Sequence, residues 1–303
     1  MRIPGLGDMS VMEVGKRAFK DFQDDDMNTY AAALTYRFLL ALFPFVIFLL
    51  TLLEAFNLER FFTWLLDQAK TALAADAYSQ VETIISQIRD GASGGLLSFG
   101  LVAALWAASA GVRSAMHALN VAYDVKEERT LWKKYAMSLL FTIGLAAMLI
   151  AAVALMLLGP QSMQWLADQA GLGEVFVTLW SWLRIPVAIV LMMLAVALIY
   201  YFFPNVDQPF KIVSPGSVFA VLAWLVATVG FSIYVSNFGN YNATYGSLGG
   251  IIALMFYFFI SAATLLLGAE VNAVLFKAKA AGPEDNVDQA DAEQVRRDVT
   301  TAA

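Results

Sequence analysis

Residues 31–53 read AAALTYRFLLALFPFVIFLLTLL, an apolar run interrupted by one charge, Arg37, and one proline, Pro44. As a helix rising 1.5 Å per residue, a run of this length crosses the ~30 Å hydrocarbon core of a bilayer. Arg37 would then lie within lipid, where a guanidinium costs at least ~2.5 kcal/mol unless it reaches the headgroups or finds a partner. The segment predicts a transmembrane helix that carries a costly charge.

The composition of the whole chain agrees with a membrane location. Of 303 residues, 60% are hydrophobic and 15% are charged, whereas roughly a quarter of the residues in a soluble domain are charged. Five more apolar stretches have about the length of one crossing. The six predicted spans are 31–53, 96–116, 135–158, 185–203, 215–238 and 249–271. Because the sequence lacks the alternation of barrel strands, we predict an all-α, polytopic membrane protein.

Lysine and arginine are distributed unevenly between the two sets of connections. Thirteen lie in the segments on the side of the two termini, and four lie in the segments on the other side. By the positive-inside rule, both the N and the C terminus are predicted to be cytoplasmic. The predicted location is the inner membrane of a bacterium.

The segments outside the membrane domain, residues 31–276, have distinct patterns. Residues 1–30 carry apolar residues at helical spacing among basic ones, which predicts an amphipathic helix that anchors at the membrane interface. The outer loop, residues 54–94, repeats this periodicity twice and predicts amphipathic helices on the outer leaflet or on top of the bundle. Residues 277–303 contain few large apolar side chains and predict a disordered cytoplasmic tail.

Sequence signatures of catalysis are missing. His117 is the single histidine, cysteine is absent, and neither a G-x-S-x-G nor a P-loop sequence occurs. Asp24, Asp25 and Asp26 are candidate metal ligands, but acids beside a helix start are more often solvated and stabilised by the helix dipole. The cytoplasmic basic residues are scattered, so topology explains them better than nucleic-acid binding. We expect no enzymatic activity, no metal, no cofactor and no nucleic-acid partner.

Charged side chains occur near the cytoplasmic ends of three predicted spans. Arg37 lies in the first span, Arg113 in the second and Glu270 in the sixth, with Asn272 just beyond it. Because charges within a membrane seek partners or water, we predict that Glu270 pairs with Arg37 or Arg113. Two interpretations of the arginines stay open, namely snorkelling to the headgroups and binding of an anionic substrate.

A stripe on the second span extends this group toward the following connection. Trp106, Ala110, Arg113, His117 and Asn120 recur at spacings of three and four, so they share one helix face. His117 is interpreted either as a hydrogen-bonded interfacial residue or as a proton relay. The candidate substrate or pathway residues are Arg37, Arg113, His117, Asn120, Glu270 and Asn272.

A glycine-rich sequence precedes the sixth span. Residues 240–250 read NYNATYGSLGG. This sequence predicts either a tight turn with an aromatic belt and close helix packing, or a helix N-terminus whose free N–H groups face an anion. The candidate structural residues are Pro44, Tyr245, Gly246, Ser247, Gly249, Gly250 and, later in the same span, Gly268.

Three sequence blocks resemble the signature blocks of the YihY/virulence factor BrkB family. They read DDDMNTYAAALTYRFLLALFPFVIFLL at 24–50, GVRSAMHALNVAYDVKEER at 111–129 and YGSLGGIIALMFYFFISAATLLLGAEVNA at 245–273. Many members have a second tyrosine where this chain has Arg37. The resemblance implies a bacterial inner-membrane protein with six helices and cytoplasmic termini.

The resemblance also implies classes of function. Some members carry the older label ribonuclease BN, for which this sequence offers neither a nuclease metal site nor a basic nucleic-acid face. Others are associated with serum resistance or with export of lipid or ions. We therefore expect a transporter or exporter of an anionic lipid or a small anion. The alternative is a non-transporting scaffold for the cell envelope, and homo-oligomerisation stays open.

Overall fold

The structure is a computed structural model that describes residues 9–55, 82, 94–157, 174–237 and 247–301. Within these ranges the chain forms helices and no strand, which confirms the predicted all-α class. The helices are α1 (Val11–Asp24), α2 (Met27–Ala55), α3 (Gly94–Ala122), α4 (Leu131–Leu157), α5 (Glu174–Phe202), α6 (Pro215–Asn237) and α7 (Ser247–Thr301).

Five of these helices are long and apolar enough to cross a membrane. The segments that meet this description are Ser98–Ala122, Leu131–Ala152, Val175–Phe202, Pro215–Val235 and Gly249–Lys279. They correspond to the second to sixth predicted spans. The first predicted crossing falls in α2, a helix of 29 residues, and stays a prediction.

The outer surfaces of the long helices are apolar. Leu140 of α4, Val190 of α5 and Val226 of α6 are 67%, 60% and 73% exposed, and each has similar neighbours on its helix. Large exposed apolar surfaces of this kind mark a face that meets lipid or a partner rather than water. Together with helices long enough to cross a membrane, these apolar surfaces indicate that the protein is embedded in a lipid bilayer.

Two prolines in the predicted spans lie inside helices. Pro44 is within α2, and Pro186 is within α5. The fourth crossing segment therefore begins at Val175 rather than at residue 185. Proline is tolerated in membrane helices because neighbouring helices and local adjustments satisfy the carbonyl that it leaves free.

The last helix is longer than the sequence predicts. The backbone of α7 is helical as far as Thr301, although the composition of residues 277–303 predicts disorder. The alanine, glutamate, glutamine, lysine and arginine residues that make this tail polar are also good helix formers, and a helix already nucleated in the membrane extends easily. The predicted helices of loop 54–94 lie almost wholly outside the described residues, as do Tyr245 and Gly246.

The six long helices form a closed ring in chain order. Each helix from α2 to α6 packs on the next one, and α7 packs on α6 and returns to α2. α7 also contacts α3 across the ring. The core between these helices includes Leu34, Met116, Leu119 and Leu266, which are fully buried. α7 therefore closes the ring, because it packs on both the first and the last of the other five long helices, α2 and α6.

The predicted amphipathic helix is present as α1, outside the ring. Ser10 caps its N-terminus. Its residues Val14 and Ala18 are buried against Val271 and Val274 of α7. The apolar face of α1 therefore contacts protein, where the sequence predicts an interfacial anchor.

The helices α6 and α7 approach each other at a pair of glycines. A Cβ atom on Gly216 would come closer than 3.0 Å to the Gly268 carbonyl oxygen, and one on Gly268 would collide with the Tyr200 hydroxyl. That hydroxyl donates a hydrogen bond of 2.6 Å to the carbonyl of Leu265. Small residues let membrane helices pack backbone to backbone, which gives Gly268 a structural role of the predicted kind.

Alanine at either contact glycine should destabilise the bundle. Overpacking costs about 1–3 kcal/mol, so Gly216→Ala and Gly268→Ala should each lower the thermal unfolding midpoint of the detergent-solubilised protein. Gly230 of α6 and Gly250 of α7 have open space at the Cβ position, so their alanine variants are matched controls that should unfold at or above the wild-type midpoint. Equal midpoints for all four variants would contradict the close crossing.

Candidate functional site

Polar and charged side chains gather at one end of the bundle, which we call the α1 end. It consists of α1, residues 123–130, residues 203–214 and residues 270–279 of α7. Hydrogen bonds join the two connections, and Lys277 of α7 forms an ion pair with Asp124. This end therefore unites segments that the charge distribution predicts to be cytoplasmic.

A clamp around Arg129 ties the two connections of the α1 end together. Its guanidinium donates to the carbonyls of Phe202 at 3.3 Å and Phe203 at 2.6 Å, where α5 ends. Its Nε lies 3.2 Å from Glu127 Oε1 and donates to Asn205 Oδ1 at 3.2 Å. A cation here satisfies carbonyls that a helix end leaves free and complements the helix dipole. In the sequence, Arg129 is visible only as one of the basic residues that set the topology.

Asn120 belongs to the same clamp. Its side-chain oxygen accepts from the Asn205 N–H at 2.7 Å, and its amide donates to Glu127 Oε2 at 3.2 Å. Asn120 is buried, and both of its polar groups are engaged. In this structure Asn120 links two connections rather than lining a path.

Arg113 lies between α3 and α4. Its Nη1 donates to Ser109 Oγ at 3.0 Å and to Ser138 Oγ at 3.1 Å. The guanidinium also lies 4.3 Å from the centroid of the Tyr135 ring and 5.9 Å from that of Trp106. Both rings are exposed, so this group lies at the outer surface of the ring of helices.

The predicted ion pair between Glu270 and an arginine is not formed. Glu270 is fully buried, and neither carboxylate oxygen has a hydrogen-bond partner among the described residues. Arg113 is held by the hydroxyls of α3 and α4, and Arg37 is exposed on α2 with no ion pair in the described part of the chain. The prediction is wrong because the position of a charge along a helix does not tell which neighbour it faces.

The remaining polar candidates lie apart from one another. His117 is exposed, and its ring meets the Tyr30 ring edge-on with centroids 5.6 Å apart. Asn272 binds the start of α6, where its Oδ1 accepts from the Gly216 N–H at 2.9 Å and its Nδ2 donates to Ser214 Oγ at 2.9 Å. Of the glycine-rich sequence, Ser247 begins α7, Gly249 is buried and Gly250 is exposed.

The cavities in the described part of the chain include the following three. One at the α1 end, of about 130 Å³, lies between α5, α6 and α7 and contains Lys211 and Lys279 but no acidic side chain in its lining. An apolar cavity of about 210 Å³ lies on the same helices next to Val196 and Leu265, and a third of about 330 Å³ adjoins the Arg129 clamp. Of the six predicted pathway residues, Asn272 alone lines any of these three. The other polar groups of the first cavity are Tyr200, Tyr201, Gln208 and Ser214.

Lys211 and Lys279 are absent from the predicted site. Both are among the basic residues that predict the cytoplasmic side of the membrane. Because topology already accounts for them, the sequence gives no separate reason to place them in a binding site. The signal that separates Lys211 from other loop lysines is its place between Pro209 and Pro215, since these prolines restrict the connection that leads into α6.

The acidic run at 24–26 forms the turn between α1 and α2. Asp25 is the C-cap of α1, and its N–H donates to the Asp21 carbonyl at 2.8 Å. Asp26 adopts a φ of 52°, a left-handed conformation that aspartate tolerates better than most residues. Burial raises the pKa of Asp25, and repulsion from Asp124 adds to the effect. Burial is also the main reason that the pKa of Asp21 is raised.

No metal cluster is formed by this run within the ranges that the structure covers. No three histidine, cysteine, aspartate or glutamate side chains there are grouped so that they could hold a metal ion. The acids instead close a turn, for which the short aspartate side chain is well suited.

Comparison with known proteins decides the family. The sequence profile of the family described as virulence factor BrkB matches residues 18–293. The chain belongs to the virulence factor BrkB family. This result confirms the resemblance carried by the three sequence blocks, and it establishes that this BrkB-family chain is a membrane protein of that group.

Individual relatives of this BrkB-family chain differ in length. The ribonuclease-like protein YfkH of Bacillus subtilis is 37% identical over 271 residues, which cover 89% of this chain and 98% of YfkH. A UPF0761 membrane protein of Xanthomonas oryzae is 25% identical over 267 residues, which cover 85% of this chain and 59% of the relative. One of Tolumonas auensis is 38% identical over 80 residues, 26% of each chain. No solved structure matches the chain.

Asp25→Asn should stabilise this BrkB-family chain at neutral pH. The pKa of Asp25 is higher in the folded than in the unfolded chain, so ionisation favours unfolding once the pH exceeds the ordinary value of 3.8. The asparagine variant should therefore raise the thermal midpoint at neutral pH, with a gain that vanishes as the pH falls below that value. Asp207→Asn, on an exposed part of the second connection, is the control. A gain independent of pH would contradict this explanation.

Proposed function

We propose that this BrkB-family protein is a transporter or exporter of an anionic lipid or a small anion. The observation that carries the proposal is the cavity between α5, α6 and α7, which is lined by Lys211 and Lys279 without a carboxylate. A negatively charged group in it would be neutralised by two ammonium groups and would meet hydroxyl and amide donors. Charge-assisted hydrogen bonds of this kind are roughly twice as strong as neutral ones.

The size of the cavity limits what it can hold. A volume of about 130 Å³ is close to that of an engineered protein cavity of roughly 150 Å³ that holds one benzene molecule. This space suits a phosphate group or a small anion, whereas acyl chains must lie elsewhere.

The apolar cavity supports a lipid as the substrate. It is lined by Val196, Ala220 and Leu265. Val196 is adjacent to Ala197 of the polar cavity, and the other two lie five and seven residues along α6 and α7 from Pro215 and Asn272. A polar and an apolar cavity that follow each other along α5, α6 and α7 match the two parts of a lipid. A small inorganic anion would use the polar cavity alone.

We also propose a non-enzymatic role. The relative YfkH bears a ribonuclease-like name. In this chain the cavity lining offers lysines without a carboxylate or histidine that could act as a general base, and it is too small for a nucleic-acid chain.

Replacing the cavity lysines should slow transport in reconstituted vesicles. Lys211 and Lys279 are exposed, so each charged contact is worth about 0.2–1 kcal/mol, and Lys211→Gln or Lys279→Gln should reduce the rate by up to roughly fivefold, the double variant further. Two probes distinguish the substrates: fluorescent phosphatidylglycerol, followed by chemical bleaching of the outer leaflet, and chloride, followed by quenching of an enclosed dye. Lys126→Gln, at an exposed position of the same end, is the matched control.

The outcomes of this assay separate the candidates. Lysine-dependent movement of phosphatidylglycerol, with phosphatidylcholine left in place, supports an anionic lipid, and lysine-dependent chloride entry supports a small anion. Movement of neither probe by the wild-type protein would contradict transport of these substrates and favour the scaffold.

We infer that the protein lies in a bacterial inner membrane with both termini in the cytoplasm. What supports this topology is the meeting of α1, both basic connections and the end of α7 at the α1 end. By the positive-inside rule, such a basic end faces the cytoplasm.

The absence of cysteine allows a direct test of this topology. Single cysteines are introduced at exposed positions, Glu128→Cys at the α1 end and Val175→Cys at the start of α5. In intact spheroplasts a membrane-impermeant maleimide should label the cysteine at position 175 and spare the one at 128 until the membrane is permeabilised. The reverse pattern would invert the topology.

A further inference from the structure

Two buried polar groups at the α1 end lack hydrogen-bond partners within the described residues. They are the carboxylate of Glu270, at 0% exposure, and the hydroxyl of Tyr123, at 3%. The Tyr123 ring packs on Phe276, one and a half turns after Glu270, with centroids 5.7 Å apart. The Gln208 side chain lies near the Tyr123 hydroxyl, but its amide donates to the Tyr200 carbonyl at 2.7 Å; Glu270 is close enough to Tyr123 to interact with it electrostatically.

A buried carboxylate without a partner is costly. Its desolvation costs several kcal/mol unless a proton, a cation or hydrogen-bond donors compensate for it. Such compensation could come from the helices that contact α7, which are α1, α2, α3 and α6, together with α5 through the Tyr200 hydroxyl, whose proton is donated to the Leu265 carbonyl.

The charged groups that act on Glu270 from these segments are mostly acidic, so they repel its carboxylate instead of compensating for it. Asp21 of α1, Asp25 of the α1–α2 turn and Asp124 after α3 all act on Glu270, as does Lys277 of α7 itself. Lys277 is already paired with Asp124. α6 contains no charged residue. On α2, Arg37 is exposed and forms no ion pair within the described residues. The charge of α3, Arg113, is bound by the hydroxyls of Ser109 and Ser138.

We propose that Glu270 is the binding site of an exchangeable proton, with Tyr123 as its neighbour, and that this proton is the coupling ion of transport. The coupling rests on the proposed function. In the step, the Glu270 carboxylate forms an O–H bond with a proton from a hydronium ion, which leaves as water with its electron pair. Release reverses the step.

The geometry favours a proton over a metal cation. Sodium, magnesium and calcium ions bind about six or more oxygens, whereas a proton needs only one. Within the described residues neither Glu270 oxygen has a hydrogen-bond partner, and no three acidic, histidine or cysteine side chains are grouped so that they could hold a metal ion.

The covering of Glu270 explains how exchange is restricted. Val271, the next residue, is buried beneath Val14 and Ala18 of α1. Asp21 and Asp25 are half-buried at the end of the same helix, between this layer and solvent. Protons reach Glu270 past these two carboxylates when α1 loosens.

Carbodiimide labelling tests the proton site without any substrate. The hydrophobic reagent dicyclohexylcarbodiimide modifies protonated carboxyl groups in apolar surroundings. Mass spectrometry of the full-length protein in detergent should find an adduct on Glu270 at neutral pH that is lost at alkaline pH. The exposed Glu128 should react only with a water-soluble carbodiimide.

Two variants test whether the carbodiimide adduct lies on Glu270 and whether its formation depends on the neighbouring acids. Glu270→Gln should lose the adduct and keep a wild-type unfolding midpoint, since the amide has the shape of the acid. Asp25→Asn should weaken labelling at a fixed pH, because one repelling charge is removed. Absence of the adduct at every pH in a folded wild-type protein would overturn the proton site, as would protection by sodium ions instead of by alkali.

Coupling is tested separately in vesicles. A pH gradient across the membrane should accelerate movement of fluorescent phosphatidylglycerol by the wild-type protein, and Glu270→Gln should lose that acceleration while Glu128→Gln keeps it. An unchanged gradient response in Glu270→Gln overturns the coupling. If the wild-type protein moves no lipid, the proposed function fails, whereas the labelling result still decides whether Glu270 binds a proton.

Discussion

The structure depends on one constraint, which is that a polar group surrounded by hydrocarbon must find its partner within the protein. In the middle of the bundle this constraint is met locally. The hydroxyl of Thr35 donates to the Ala31 carbonyl within α2, and Trp224 of α6 donates to Ser261 Oγ of α7 at 3.0 Å. A buried polar group without a partner is therefore an exception that needs an explanation. Glu270 and Tyr123 are two of them, and both lie at the α1 end.

One turn of α7 contacts α6 on one side and α1 on the other. Gly268 and Asn272 are four residues apart and share the helix face that contacts Gly216 of α6. Glu270, midway between them, faces the opposite side, where α1 and the end of α3 cover it. The backbone contact, the wall of the polar cavity and the buried acid are thus rigidly connected through one helix.

Hydropathy predicts the all-α fold and five of the apolar helices long enough to cross a membrane, because crossing length is a property of one helix at a time. Contacts between helices depend on rotation about each helix axis, which apolar spans barely encode. For this reason Arg113 was predicted to pair with Glu270 and instead meets Ser138 of α4. Lys211 was likewise not predicted as a cavity residue, because in the sequence it is accounted for as one of the basic residues that set the topology. Gly268 was identifiable because a glycine in a membrane helix has few uses besides close packing.

The glycine contact between α6 and α7 has a mechanical consequence. With no side chain between the two backbones, the distance between the helices is set at this point, at the second residue of a helix of 23 residues. Farther along, Trp224 donates to Ser261, and the Thr228 and Tyr257 hydroxyls are hydrogen-bonded at 3.2 Å. Because α6 and α7 are joined at both levels, a movement of one helix relative to the ring carries the other with it, so the two helices form one mechanical unit.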